Sequence, residues 1–143
     1  VCAAPPLLRV AAEVHQFLTF TTAPSLQVAV AYGLGKPDAY FHEMRADLAR
    51  SRDRLTAGLT RLGLPVLPSQ GTYFLTVDLA ALGLNETDEA FCRRIVTEHK
   101  VAAIPVSAFY EANPVTSVVR FCFSKNDATL DAALERLSDA IHR

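Results

Sequence analysis

The sequence predicts an α+β fold, a small sheet covered by helices, with two apolar helices in front of it. Three observations predict it. Apolar residues recur at helical spacing up to Leu62, and from Pro65 the period changes to two. The later part then reads strand, strand, helix, strand, strand, helix, the order of a layered sheet-and-helix domain. The 143 residues, 50% hydrophobic and 20% charged, suit one domain of common size with a packed core and argue against disorder.

Val1-Cys2-Ala3-Ala4 reads as the end of a buried strand stopped by Pro5-Pro6. Leu7, Leu8, Val10, Ala11 and Val14 follow at helical spacing, with proline tolerated in the first turn. Phe17 to Thr22 is aromatic and β-branched, which predicts a turn or extended stretch. Pro24-Ser25 opens a second helix, Leu26 to Leu34, so uniformly apolar that it should be buried on most sides. After the break at Gly35-Lys36-Pro37-Asp38 the longest helix runs from Ala39 to Leu62. Phe41, Met44, Leu48, Leu55 and Leu59 form its apolar side, and Gly63 its C-terminal stop.

Val66-Leu67-Pro68 predicts a short edge strand and Tyr73 to Asp78 a stronger one, with Gly71 supplying the turn before it. Thr87 precedes a helix from Glu89 to about His99 with Phe91, Ile95 and Val96 on its core face. Val101 to Ile104 is a short strand, Pro105-Val106-Ser107 a loop, and Ser117 to Phe123 a clear strand. Asn126 or Asp127 caps a last helix, Ala128 to His142, with Leu130, Leu134, Leu137 and Ile141 on its core stripe.

Composition excludes several functions. Fourteen Lys and Arg against fifteen Asp and Glu leave a net charge of −1, which gives no basic field for nucleic acid or an anionic membrane. No apolar run reaches the roughly 20 residues of a bilayer span. Three cysteines, Cys2, Cys92 and Cys122, do not make a disulfide framework, and the last two read as small core residues. No secretory signal opens the chain, so a cytoplasmic protein is the expectation. His15, His42, His99 and His142 show no metal-ligand spacing. Phosphate-cradling glycine motifs and the nucleophile elbow are absent. The acids Asp88 and Glu89 sit at a helix start, where the helix dipole accounts for them. The arginine-rich side of the long helix carries interleaved acids and reads as a solvated face.

Arg120 stands out, an ionised side chain in the apolar strand Val118-Val119-Arg120-Phe121-Cys122-Phe123. It should share one face with Val118 and Cys122, with Val119, Phe121 and Phe123 on the other. Such a charge needs a partner or a task. Three environments remain open: an internal carboxylate, solvent at a sheet edge, or a bound anion gripped by the guanidinium fork.

Ile104-Pro105-Val106-Ser107-Ala108-Phe109-Tyr110, Val119 to Lys125 and Leu130-Asp131-Ala132-Ala133-Leu134 together resemble the C-terminal end of fold-type I, class I/II aminotransferases. Within that family the kynurenine/methionine aminotransferase branch is most similar. Val14-His15-Gln16 through Gln27 and Gln70-Gly71-Thr72-Tyr73-Phe74 resemble the same branch in the same order. The resemblance implies a pyridoxal-phosphate enzyme, homodimeric, that exchanges an amino group between an amino acid and a 2-oxo acid. It implies that residues 1–36 are the C-terminal remnant of a large cofactor-binding domain with connecting helices, and 37–143 the small C-terminal domain. Arg120 matches the arginine that holds the substrate α-carboxylate, and Phe20 an aromatic offered to the neighbouring subunit's pocket. Gly71 and Tyr73 match a segment beside the substrate, and Ser107 and Phe109 a mobile loop. The family's Schiff-base lysine has no counterpart, because Lys36, Lys100 and Lys125 stand in other contexts. Catalytic and cofactor-binding residues are therefore not expected in this chain, and alone it should not transaminate. A free-standing α+β metabolite-binding or interaction module is the alternative.

Overall fold

The computed structural model describes residues 2–84 and 86–141. Val1 and His142, part of the expected first strand and last helix, lie outside the described residues. The chain divides into two compact units, Val1–Phe41 and His42–Arg143.

In the first unit, α1 spans Pro5–Leu18 and α2 Pro24–Leu34, each with proline in its first turn. Cys2 to Ala4 is exposed and not a strand. Helix α1 runs through Phe17 and Leu18, where a turn or extended stretch was expected: a helix already hydrogen-bonded extends more cheaply than it starts. No residue of α1 or α2 is buried, so the expected burial of α2 is not met within this chain. Between the two helices Phe20 takes φ 61°, a left-handed conformation that is strained for a bulky residue. The Gln27 amide reaches back to donate to the Thr22 carbonyl at 2.7 Å and ties this connection to α2.

The second unit is built on a three-stranded antiparallel sheet in the order β1-β3-β2: β1 is Phe74–Asp78, β2 Ile104–Pro105 and β3 Val118–Cys122. Leu75, Val77, Val119 and Phe121 alternate inward, as period two predicts, and Phe123 continues their side beyond β3. They meet Leu55 and Leu59 of α3 (Asp38–Arg61), Phe91, Cys92 and Ile95 of α4 (Asp88–Glu98), and Leu130, Leu134, Leu137 and Ala140 of α5 (Asp127–Ile141) in one core. Thr87 accepts from the Ala90 amide and Asn126 from the Thr129 amide, so both caps form as the sequence implied. Gly63, at φ 80°, ends α3.

Several expectations are corrected. Cys122 is exposed, because it follows Arg120 onto the face opposite the core. Met44 and Val96 are exposed, and Cys92 takes the core position beside Phe91. Val66 makes only a single bridge, to Val77. Strand β2 begins at Ile104 rather than Val101, and β1 at Phe74 rather than Tyr73. Gly71 lies in the bend before β1, and Thr72 beside it takes φ 61°. The loop after β2 closes into a 3-10 turn, Val106–Phe109, and a second such turn spans Ala80–Leu82.

Side chains lock the helices around the core. Arg54 on α3 donates to both carboxylate oxygens of Asp131 on α5, at 2.8 and 2.6 Å, and to Asp127 at 3.3 Å. The hydrogen bond raises the Arg54 pKa and lowers that of Asp131. Arg94 on α4 pairs with Glu86 at 2.8 Å and donates to the Ala140 carbonyl at 3.3 Å, joining α4 to the end of α5.

Gly58 of α3 lies against Leu134 of α5, where an added Cβ would overlap Cγ and both Cδ carbons of that leucine. Gly58→Ala should therefore destabilise the unit by about 1–3 kcal/mol through overpacking. Urea unfolding measures it, and an unchanged midpoint would show that the two helices are free to separate.

Candidate functional site

Arg120 sits in the middle of β3, the central strand, opposite Thr76 of β1 and Ile104 of β2. One face of the sheet belongs to the core. The other carries Phe74, Thr76, Asp78, Ile104, Val118, Arg120 and Cys122, all half-buried or exposed. This is the face division that the alternation of β3 predicted.

The guanidinium is held by rings. Its central carbon lies over the Phe74 ring at 4.2 Å from the centroid and over the Phe109 ring at 5.0 Å. Phe74 comes from β1, diagonally across the ladder, and Phe109 from the 3-10 turn after β2. Cation–π attraction offsets part of the cost of removing the charge from water. Among the described residues no carboxylate forms an ion pair with Arg120. Two of the three environments left open by the sequence, an edge position and an internal acid, are thus not those observed. What remains is a planar, polar fork on an open sheet face, suited to a bidentate carboxylate.

Tyr73 is brought to the same place. Its ring meets Phe74 edge-on, with centroids 5.5 Å apart at 88°, so Tyr73, Phe74, Arg120 and Phe109 form one row. Gly71 is not part of that row. With Arg45, Arg52, Gln70, Thr72 and Phe123 it lines a hollow in which Arg120 has no share, and its carbonyl accepts from the Ser69 hydroxyl at 3.0 Å. Phe20 belongs to the first unit, exposed and left-handed. Ser107 lies at the start of the turn that carries Phe109, and its hydroxyl oxygen is buried without a hydrogen-bond partner.

Sequence reasoning missed two contributors. Phe74 was read only as part of a strand, although its place on Arg120's face could have been found from the period of β1. Asp88 was read as an ordinary acid of a helix start, yet it is fully buried and bonded to the turn below Phe109; nothing in the sequence separates it from exposed Glu89.

The three lysines do not assemble a cofactor cradle. Lys36 donates to the Tyr32 hydroxyl at 2.7 Å, Lys100 to the Thr97 carbonyl at 2.6 Å, and Lys125 is exposed after β3. The residues present do not fit pyridoxal phosphate by themselves. Among the described residues no group of His, Cys, Asp and Glu could hold a metal ion, and no helix is long and apolar enough to cross a membrane.

The chain as a whole matches a known family. A model of the class I and II aminotransferases matches residues 1–137. The chain is 39% identical, over 96% of its length and 36% of the relative's, to a protein named probable N-succinyldiaminopimelate aminotransferase from Mycobacterium tuberculosis. It is 38% identical to the methionine aminotransferase of Escherichia coli, over 95% of this chain and 35% of that one. A solved N-succinyldiaminopimelate aminotransferase structure from M. tuberculosis superposes with a TM-score of 0.84 at 40% identity, covering 96% of this chain and 36% of that one. The chain belongs to the class I and II aminotransferases, and it spans about a third of the length of the relatives it matches.

Cysteine chemistry gives a check on the packing of α4 against the sheet. Burial, helped by the negative charges of Asp88 and Glu86, pushes the Cys92 thiol up to about 11, while Cys2 and Cys122 are exposed. At neutral pH iodoacetamide should modify Cys2 and Cys122 of the folded chain and spare Cys92. Peptide mass spectrometry reads this directly, and equal labelling of Cys92 would contradict the packing.

Proposed function

We propose that the protein carrying this chain is a pyridoxal-phosphate-dependent aminotransferase, in which Arg120 anchors the α-carboxylate of an amino acid or 2-oxo acid. One observation carries the proposal: a guanidinium on a central strand, held by two rings and without an acid partner among the described residues. Two parallel hydrogen bonds from the fork would fix the carboxylate, and with it the direction of the bonds at the substrate Cα. Tyr73, touching Phe74, would border the same carboxylate site, with Gly71 in the segment leading up to it.

Pyridoxal phosphate, when bound, supplies an electron sink for a bond at Cα. Its lysine and phosphate-holding groups would come from outside these 143 residues, so the isolated chain is expected to be inactive. Residues 1–36 would belong with the large cofactor-binding domain and 37–143 would form the small domain. The left-handed backbone at exposed Phe20 supports a role for that ring in the neighbouring subunit's pocket, since strain of this kind persists where a side chain must be placed. A homodimer in the cytoplasm completes the reading, with no nucleic acid or membrane partner.

In the whole protein, Arg120→Leu should weaken 2-oxo acid binding by at least about 2 kcal/mol, roughly 30-fold. Arg120→Lys, which keeps the charge but loses the fork, should fall between the two. Equilibrium titration of each variant with the 2-oxo acid provides the comparison, the isolated chain serving as an inactive control. An affinity that Arg120→Leu leaves unchanged would remove Arg120 from the site.

A further inference from the structure

Phe109 is largely exposed, 63% of its surface being open, so packing alone does little to hold its ring against Arg120. Its position follows that of the short turn Val106–Phe109, which has no side-chain cap of its own. The turn is fastened instead by a buried acid on a different element. Asp88, the first residue of α4, is fully buried. One of its carboxylate oxygens accepts from the Glu89 amide at 2.9 Å, and the other from the Ser107 amide at 2.7 Å. Its own amide donates to the Thr116 carbonyl at 2.7 Å, two residues before β3 begins. A single residue therefore meets the helix start, the turn carrying Phe109 and the approach to the strand carrying Arg120.

A buried carboxylate without a cationic partner is sustained only by hydrogen bonds to its charge and by favourable dipoles. Both are present here: two amides bind the carboxylate, and it lies at the positive end of α4. The Ser107 hydroxyl, buried without a partner among the described residues, adds nothing to the fastening, so the polar link from Ser107 to α4 is its main-chain bond to Asp88.

We propose that Asp88 is a positioning residue for the carboxylate anchor: its buried carboxylate sets the turn that lays Phe109 against Arg120 and so fixes the plane of the guanidinium. Among the described residues its hydrogen bonds go to Glu89, Ser107 and Thr116, and none goes to Arg120. Its relevance to catalysis rests on the reading of Arg120 given above, but its structural action does not. Alanine at position 88 removes both acceptor oxygens, so the Ser107 and Glu89 amides both lose their partner.

The test uses nuclear magnetic resonance on the 143-residue chain. In Asp88→Ala the Ser107 amide should exchange about tenfold faster, as a local opening does, while Val119 and Phe121 in the sheet keep their protection. The Arg120 Hδ and Hε resonances, shifted by the ring currents of Phe74 and Phe109, should move toward their values in Phe109→Ala. Glu89→Gln, altering the exposed neighbouring acid, should move neither. Wild-type exchange at Ser107 and unmoved Arg120 resonances in Asp88→Ala would overturn the proposal. Should that variant fail to fold, the unmodified chain still decides: cross-relaxation between the Phe109 ring and Arg120 Hδ must be present, and its absence overturns the proposal by itself. None of these readouts depends on transamination, so a failure here is distinguishable from a failure of Arg120→Leu to weaken 2-oxo acid binding.

Discussion

A guanidinium held over two rings, with no ion-paired acid among the described residues, is the interaction on which the rest depends. Arginine tolerates this where lysine would not, because its charge is spread over a plane and weakly hydrated. The rings of Phe74 and Phe109 offset part of the desolvation cost without using the N–H groups. A carboxylate on the sheet would have paired with Arg120 and closed the fork. Asp78 lies on the same face, but its side chain accepts from the Ala80 amide and the Ser117 hydroxyl instead. The central strand adds rigidity, since hydrogen bonds on both sides leave the Arg120 backbone little freedom.

The core serves that arrangement from the opposite side. Helices α3, α4 and α5 cover only one face of the sheet, and the contact of α3 with α5 depends on Gly58 lying flat against Leu134. The Arg54–Asp131 fork bridges the same two helices at the surface, where exposure and salt limit its strength. The alternation of β3 then separates the roles cleanly: Val119 and Phe121 hold the strand in place, while Arg120 and its neighbours face outward.

What could be read from the residues was whatever obeys a period. The faces of β3, the stripe of α5 and the caps at Thr87 and Asn126 follow from local rules that tertiary packing did not override. Cys122 was misplaced although alternation already set it beside Arg120; the flanking phenylalanines made the whole run look like core. Val96 and Met44 were misplaced because helical spacing marks an apolar side without saying how much of it is covered. The left-handed backbone at Thr72, and the approach of Phe109 to Arg120, come from chain segments meeting in space, and no spacing encodes them. Asp88 is the sharpest case: two adjacent acids begin α4, and only the path of residues 105–109 makes one a buried anchor and leaves the other exposed.

The central claim is that the fork of Arg120 is kept free for a carboxylate. A crystal structure of the whole protein with a bound 2-oxo acid tests it most directly. The account predicts both carboxylate oxygens about 2.7–2.9 Å from two guanidinium nitrogens of Arg120, with Phe74 and Phe109 still against its plane. An Arg120 paired to an acid of the protein, with the ligand's carboxylate held elsewhere, would contradict it.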